Sequence, residues 1–171
     1  MNLSLTGEQV AKLAGPGTKV LSYPQLANVQ NINQLLPKCM ILYQTGDKGG
    51  SCYGHWTSIA KIGNGIYFFD SYGTFPDDQQ KYIGNGYLEQ SGQVRKKLQK
   101  LMKFSGYGDL NYNEHRYQQM KEGINTCGRH SGLFLRSGLT SDQYYNMMSK
   151  IKKELGGSYD SIIVKLTDGM F

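Results

Sequence analysis

A cysteine stands at the mouth of an apolar helical run in the segment INTCGRHSGLFL (Ile124–Leu135). The first N–H groups of a helix have no partner within the helix and carry partial positive charge, so Cys127 is placed where a thiolate is favoured. A nearby imidazole would lower the pKa of the thiol further and carry protons. The imidazole in turn needs a carboxylate or an amide on its second nitrogen. The segment therefore predicts a cysteine nucleophile that depends on a histidine and a carboxylate elsewhere in the chain.

A predicted β-hairpin supplies such a pair. GHW places His55 at the start of one strand, GNG (63–65) is the turn, and FFD places Asp70 at the end of the next strand. The start of an antiparallel strand lies beside the end of its partner. We therefore expect His55 and Asp70 to be neighbours at one edge of the sheet.

A glutamine side chain is the usual second donor of an oxyanion hole, beside the backbone N–H of the cysteine. Gln118 and Gln119 end the segment LNYNEHRYQQ, which is predicted to be a strand leading toward Cys127. Because strand side chains alternate between two faces, one glutamine is expected to face the site and the other to face away. The alternation leaves open which one.

Caps and apolar spacing predict the helices. A Thr followed three residues later by a Gln, the spacing of a capping box, starts one helix after Thr6 and another after Thr140. Gly156 is placed to end the second of these. The segment GQVRKKLQKLMKF (92–104) repeats apolar residues at helical spacing, and a further helix follows Cys127.

Short apolar runs predict the strands, and GDKGGSCYG (46–54) is predicted to be a loop between the first two. Three runs form neighbouring strands: CMILYQT, HWTSIAKI and IYFFD. DSIIVKL (160–166) is predicted to be a final strand or a short apolar segment. Together the elements predict one α+β domain over residues 1–171, with a mixed, mostly antiparallel central sheet flanked by helices.

Composition narrows the class of protein. The three cysteines are odd in number and lack the spacing of a disulfide framework, so free thiols in a reducing compartment are expected. Met1 is followed by polar NLSLTGEQ rather than by a signal peptide, and no apolar run approaches the ~20 residues of a membrane span. We expect a monomer that is neither secreted nor membrane-bound. The net charge of +6 favours acidic partners, nucleic acid among them.

The motifs GHW, FFDSYG, YNEHRYQ and NTCGRHSGLF follow one another in the order His–Asp–Gln–Cys. In this order they resemble the adenain-like cysteine proteases, the family of the adenovirus maturation protease and its relatives in virophages, Maverick/Polinton elements and large DNA viruses. YNEHRYQ and INTCGRHSG are most similar to the virophage and Polinton branch, as is the closing YDSIIVKLT. The resemblance implies the fold that this family shares with the SUMO-specific proteases.

The resemblance also implies roles for individual residues. Cys127 matches the nucleophile, His55 the general base and acid, Asp70 the residue that orients the imidazole, and a glutamine the oxyanion donor. The YN…YQ spacing favours Gln118 as that donor. The cysteine follows Gln118 by nine residues, a longer gap than in the adenovirus enzyme, so Gln119 stays open. Trp56, beside the histidine, matches a substrate-binding position of the family.

The implied activity is cleavage after small residues, of the Gly-Gly or Gly-X-Gly type, in capsid or core precursor proteins during virion maturation. A glycine has no Cβ to clash where cleft walls close over the scissile bond. The implied location is the virion and the cytoplasm or nucleus of the infected cell. No cofactor is required by the sequence, although the resemblance implies stimulation by DNA or by a peptide.

Other interpretations use the same residues. Cys127 alone is compatible with an inert buried thiol, and Asp70 with a turn carboxylate. Cys52-x-x-His55 and Cys127-x-x-His130 together have the inner spacings of a zinc site, but this interpretation leaves Asp70 and the glutamines without a role. We therefore predict no metal ligands.

Two other functions also fit the composition. A protease for ubiquitin-like modifiers would use the same catalytic residues. A non-catalytic basic virion protein that binds nucleic acid would not need the ordered His–Asp–Gln–Cys set. Its aromatic residues would interleave with its basic clusters, whereas RKKLQKLMK (95–103) contains none.

Overall fold

A computed structural model describes residues 4–48 and 51–171. The described residues include five strands and six α-helices. Short 3-10 helices lie at Tyr23–Asn28, Ile32–Gln34 and Asp78–Tyr82. The strands are β1 (Lys19–Ser22), β2 (Lys38–Lys48), β3 (Ser51–Ile62), β4 (Gly65–Phe69) and β5 (Asp109–Tyr112). The helices are α1 (Gly7–Ala14), α2 (Asn85–Ser91), α3 (Lys97–Lys103), α4 (Cys127–Ser137), α5 (Ser141–Leu155) and α6 (Tyr159–Thr167).

The strands form one sheet in the order β1-β2-β3-β4-β5. The central pairs β2–β3 and β3–β4 are antiparallel, and the two edge pairs β1–β2 and β4–β5 are parallel. The prediction of an α+β protein with a mixed sheet flanked by helices is confirmed. No helix within the described ranges has the length and apolar composition needed to cross a membrane.

Hydrophobic cores cover both faces of the sheet. Phe68 and Phe69 are adjacent in β4, and both are fully buried, Phe69 beneath α1, α4, α5 and α6 and Phe68 on the side of α2 and α3. A strand buried on both faces is apolar at successive positions rather than at alternate ones. This explains why IYFFD is a continuous apolar run.

Local capping signals predict two of the helices correctly. The Thr6 hydroxyl accepts from the Gln9 N–H and the Gln9 side chain accepts from the Thr6 N–H, which starts α1. Thr140 and Gln143 form the same capping box at α5. Gly156 ends α5 with its N–H bonded to the carbonyl of Lys152.

Two predicted strands are wrong in part or in full. DSIIVKL is not a strand but lies in α6, because the Ser158 side chain accepts from the Ser161 N–H and caps a helix there. A short apolar run does not by itself distinguish strand from helix. The strand predicted over LNYNEHRYQQ ends at Tyr112. The chain then leaves the sheet, since the N–H groups of Tyr117 and Gln118 both donate to the carbonyl of Ser71.

Two further predictions differ from the structure at the ends of strands or helices. The predicted loop 46–54 belongs mostly to the antiparallel arms of β2 and β3, with a register shift between Gln44 and Gly46. The helix predicted in 92–104 begins only at Lys97. Val94 is 44% exposed, and its carbonyl accepts from Gln80, whose side chain also accepts from the Lys96 N–H. These bonds from a distant residue hold the chain out of a helix.

Gly54 is required where β2 and β3 meet beside His55. A Cβ built on Gly54 would lie 1.8 Å from the carbonyl oxygen of Tyr43, a backbone atom that cannot move without shifting β2. We expect Gly54→Ala to lower the free energy of unfolding by roughly 1–3 kcal/mol or more, the usual range for overpacking. Denaturant unfolding followed by circular dichroism measures this change.

Gly86→Ala is the matched control, because no atom lies within 4 Å of its added Cβ and the residue lies in α2. It should leave the free energy of unfolding unchanged or raise it by up to about 1 kcal/mol. Equal destabilisation by the two substitutions would contradict the close approach at Gly54.

Candidate active site

Three side chains from separate elements meet at one edge of the sheet. His55 lies in β3, Asp70 directly follows β4, and Cys127 is the first residue of α4. His55 Nε2 is 2.8 Å from Asp70 Oδ1, as the hairpin predicts. His55 also lies close enough to Cys127 for hydrogen bonding and charge to shift the pKa values of both groups. Because Asp70 occupies Nε2, Nδ1 is the ring nitrogen left for the thiol. The side chains form a continuous chain from carboxylate through imidazole to sulfur.

The surroundings of Cys127 favour the thiolate. The Trp56 N–H donates to Sγ over 3.4 Å, and the Gly128 N–H is a second backbone donor. Burial raises the pKa of the Cys127 thiol, but the hydrogen bond and charge of His55, together with these backbone donors, bring the pKa below its ordinary value. The residue is buried, with 6% of its surface exposed.

His55 is the cationic partner of that thiolate. Burial lowers the pKa of His55, but the charge and hydrogen bond of Asp70 and the bond to Cys127 raise it to about 10. The Tyr72 ring stacks on the imidazole with ring centroids 4.7 Å apart and an angle of 10° between the planes. The stacked ring and the bond to Asp70 hold the imidazole in a fixed plane.

Asp70 is fully buried and fully bonded. Beyond His55, its carboxylate accepts from the Tyr72 N–H at 2.9 Å, the Thr74 hydroxyl at 2.5 Å and the Gln79 amide at 3.0 Å. Burial raises the pKa of Asp70, but His55 and these donors bring it below its ordinary value. The alternative interpretation as a turn carboxylate is also correct, since the bond to the Tyr72 N–H is a turn contact. The Asp70 carboxylate therefore both bonds to His55 and stabilises the turn that follows β4.

The backbone of Asp70 is held by a residue that sequence reasoning missed. The Asn113 side chain accepts from the Asp70 N–H at 2.8 Å and donates to the Asp70 carbonyl at 2.6 Å. Thr74 and Tyr72 follow Asp70 directly in DSYGT, so their closeness could have been anticipated. Neither Gln79 nor Asn113 has a motif or spacing that points to Asp70.

The structure distinguishes the two glutamines. Gln118 is buried, accepts from the Ser71 hydroxyl at 2.7 Å and donates through Nε2 to the Ile124 carbonyl at 3.0 Å. That bond uses one of the two hydrogens on Nε2. Gln119 is exposed, with its backbone N–H on Asp160. The strand alternation invoked for them is absent, because the segment is not a strand. Gln118 lies between the loop after Asp70 and the segment that leads into Cys127.

Trp56 lines a cleft between the sheet and the segment that starts α1. Its indole Nε1 donates to the Leu5 carbonyl at 3.0 Å, which fixes the ring against the start of α1. The cleft has a volume of about 420 Å³. Leu42, Tyr53 and Gly54 complete its wall on the side of the sheet. Trp56 therefore both donates its backbone N–H to the sulfur and presents its ring to this cleft.

The remaining histidines have partners other than the thiol. His130 Nε2 is 3.2 Å from Asp160, which also accepts from the Thr126 hydroxyl at 2.6 Å, and the His115 ring stacks on Tyr145. Burial lowers the pKa of His130 even though Asp160 opposes this. His55 and His130 thus each have a carboxylate partner, whereas the zinc interpretation would use both as metal ligands.

Cys52, the fourth residue of that zinc interpretation, has its side chain outside the described residues. The prediction that it is a free thiol therefore stays a prediction. Among the side chains that the structure does describe, no group of three or more His, Cys, Asp or Glu is placed to hold a metal ion.

Comparison with known proteins gives one informative match. The chain is 31% identical over 131 residues to an uncharacterised protein, V9, of Sputnik virophage. The aligned region covers 74% of this chain and 72% of V9. No protein-family model matches the chain.

The lowered pKa of the Cys127 thiol beside His55 predicts how the cysteines differ in reactivity. Iodoacetamide should alkylate Cys127 rapidly at mildly acidic pH, because a thiol whose pKa is lowered keeps its thiolate form as the pH falls below the ordinary pKa. Cys39 should resist, since it has no exposed surface and burial raises its pKa to about 12. Peptide mapping by mass spectrometry after short exposures measures both rates.

His55→Ala should move the pH dependence of Cys127 alkylation upward. The imidazolium that lowers the pKa of the thiol is then gone, while the burial that raises it remains. Circular dichroism confirms that the variant is folded. The ion pair would be refuted if Cys127 reacted at the same rate in both proteins throughout the acidic range.

Proposed function

We propose that this chain, which belongs to the family of the Sputnik virophage protein V9, is a viral cysteine endopeptidase. The observation that carries the proposal is the buried chain of Asp70, His55 and Cys127, in which the pKa of the thiol is lowered and that of the imidazole is raised. Strongly shifted pKa values in a set of nucleophile, base and orienting residue are typical of active sites.

The reaction follows from the positions of these groups. The Cys127 thiolate adds to the peptide carbonyl, and the oxyanion that forms is stabilised by backbone N–H groups and by Gln118. His55 donates its Nδ1 proton to the leaving amine as the C–N bond breaks, which leaves a thioester on Cys127. A water molecule then loses a proton to His55 and adds to the thioester. Collapse of this second intermediate releases the carboxylic acid and restores the ion pair.

Asp70 keeps the imidazole ready for both proton transfers. Its carboxylate accepts from Nε2, so the proton that moves is the one on Nδ1, facing the sulfur. The stacked Tyr72 ring prevents the imidazole from rotating out of the plane that contains both acceptors. Asp70 and Tyr72 thus act by positioning His55, and neither needs to exchange a proton with substrate.

The burial of Cys127 and His55 supports glycine at the scissile bond. Only 6% of Cys127 and 7% of His55 is exposed. A residue without Cβ brings its carbonyl closer to a recessed sulfur than any other residue can. We propose cleavage of Gly-Gly or Gly-X-Gly sites in capsid or core precursors, in the virion or in the infected cell. The enzyme acts as a monomer without a resident cofactor, with DNA or a peptide as possible stimulators.

A panel of fluorescence-quenched peptides tests the activity. Peptides with Gly-Gly or Gly-X-Gly should be cut after glycine, and the same peptides with Val or Leu at that position should not. Cys127→Ala should lower kcat/KM by at least about 10³-fold, because the nucleophile is lost. Cys39→Ala, which removes a buried thiol from the far face of the sheet, should keep full activity per folded molecule.

SUMO and ubiquitin fusions belong in the same panel. Cleavage of the folded modifiers alone would replace the maturation role with that of a modifier protease. If no substrate is cut, with or without duplex DNA, while Cys127 still reacts as a thiolate, the endopeptidase proposal fails.

The oxyanion role of Gln118 makes a separate prediction. Gln118→Ala should lower kcat by about 10²–10³-fold with little change in KM, the usual cost of losing one oxyanion donor. Gln119→Ala should have no effect, because that side chain is exposed.

Ser71→Ala is the structural control, because it removes the hydroxyl bonded to Gln118 Oε1 but leaves the amide donor in place. We expect it to change kcat far less than Gln118→Ala does. Full activity of Gln118→Ala, or equal losses in the Ser71 and Gln118 variants, would show that the amide only braces the loop.

A further inference from the structure

An apolar groove with a basic rim lies beside α3, on the sheet face opposite to α4. We call it the α3 groove; it has a volume of about 440 Å³. Its lining combines apolar residues, which we call the floor, with lysines, which we call the rim. The floor is Phe75, Pro76, Met102 and Leu110, and the rim is Lys96, Lys100 and Lys103. Phe75 and Leu110 are 47% and 42% exposed. Two large apolar side chains are thus partly open to solvent within one groove, where an apolar group of a partner could cover both.

The charge around the groove is uncompensated. Five basic residues fall within 95–103, and this segment contains no acidic residue. Within the described parts of the chain, no carboxylate forms an ion pair with any of the five. Arg95 donates instead to the neutral side chain of Asn85, and Lys103 lies 5.7 Å from the Phe104 ring. The rim therefore presents positive charge that the chain itself does not neutralise.

Backbone strain is concentrated at the same place. Lys96 and Asp77 are the non-glycine residues with positive φ in the described part of the chain, at 56° and 70°. Lys96 belongs to the groove rim, and Asp77 immediately follows Pro76 of its floor. The left-handed region costs a residue with a side chain about 1–2 kcal/mol. Strain of this kind is typically retained at functional sites.

We propose that the α3 groove binds an acidic protein segment that also carries a bulky apolar side chain. Its carboxylates pair with the rim lysines, and its apolar side chain enters the floor between Phe75 and Leu110. The lysine rim and the apolar floor are complementary to such a segment in both charge and hydrophobicity.

The floor favours a peptide over a nucleic acid strand. Single-stranded nucleic acid binds along successive aromatic platforms on which its bases stack. Here the only aromatic ring in the floor is Phe75, which packs edge-on against Tyr112, and the rest of the floor is aliphatic. An aliphatic pocket is filled by an apolar side chain rather than by a stacked base.

The groove is joined to the loop that carries the candidate active site. The Gln99 N–H donates to the Asp77 carboxylate at 2.9 Å, and the Gln99 side chain donates to the Pro76 carbonyl at 2.6 Å. Thr74, two residues before Pro76, donates to Asp70. A segment bound in the α3 groove therefore rests on the same loop that positions Asp70, which suits a second contact point for a protein whose other part is held at Cys127.

Fluorescence anisotropy with the full chain tests binding directly. The probe is a labelled decapeptide of Glu, Ser and two Leu residues without glycine. Matched peptides replace Glu by Gln, or Leu by Ser, and a labelled ten-nucleotide deoxythymidine strand is run beside them. We expect only the Glu/Leu peptide to bind well, with an affinity that falls as salt screens the lysines.

The variant Lys100→Glu/Lys103→Glu should weaken this binding by at least about tenfold, since each reversed charge replaces an attraction with a repulsion. Leu110→Ser should weaken it without changing its salt dependence. Lys150→Glu/Lys153→Glu is the matched control on α5, with the same charge change at the same spacing and exposed side chains; it should change the affinity less than about twofold.

Equal losses in the two double variants would overturn the proposal, because binding would then reflect net charge alone. So would equal binding of the matched peptides, tighter binding of the DNA strand, or no binding at all. The readout does not depend on cleavage, so its failure leaves the proposed peptidase function untouched.

Discussion

The buried carboxylate of Asp70 is the constraint on which the candidate site depends. Removing a carboxylate from water costs several kcal/mol unless hydrogen bonds and an opposite charge replace the lost hydration. Asp70 has no exposed surface, and it obtains these partners from His55, Thr74, Gln79 and the Tyr72 N–H. The loop after β4 must therefore curl back around the carboxylate, and that loop conformation in turn places the Tyr72 ring over the imidazole.

The position of the Cys127 sulfur depends on the close packing of α4 against β3. Helix α4 lies close to β3 because its facing residues are small: a Cβ on Gly128 would lie 3.1 Å from the Trp56 ring. The Ser131 hydroxyl donates to the Trp56 carbonyl, and the Ser58 hydroxyl donates to the Ser131 carbonyl. These bonds fix the second turn of α4, one turn after Cys127, against the strand that carries His55. The distance between thiol and imidazole is thus set by backbone packing rather than by the flexible side chains themselves.

Sequence patterns correctly predicted the features that depend on residues close together in the chain. The capping boxes at Thr6 and Thr140 and the hairpin that joins His55 to Asp70 depend on residues close in sequence. Gln79 and Asn113 could not be predicted, because they reach Asp70 across nine and 43 residues through loops without periodicity. The segment 160–166, predicted to be a strand or a short apolar segment, is a helix for a related reason: its apolar residues fit either a strand or a helix until the cap at Ser158 is recognised.

His55 and His130 are both buried and both have a carboxylate partner, but the pKa is raised for His55 and lowered for His130. An imidazolium has two N–H donors, and in a buried place both need acceptors. His55 has Asp70 on one side and Cys127 on the other, so the cation is satisfied and its pKa is raised. His130 has Asp160 on Nε2, but its buried Nδ1 has no partner among the described residues, and its pKa is lowered. Pairing with a carboxylate does not by itself make a histidine cationic. The thiolate of Cys127, as the second acceptor, stabilises the cation that in turn stabilises it.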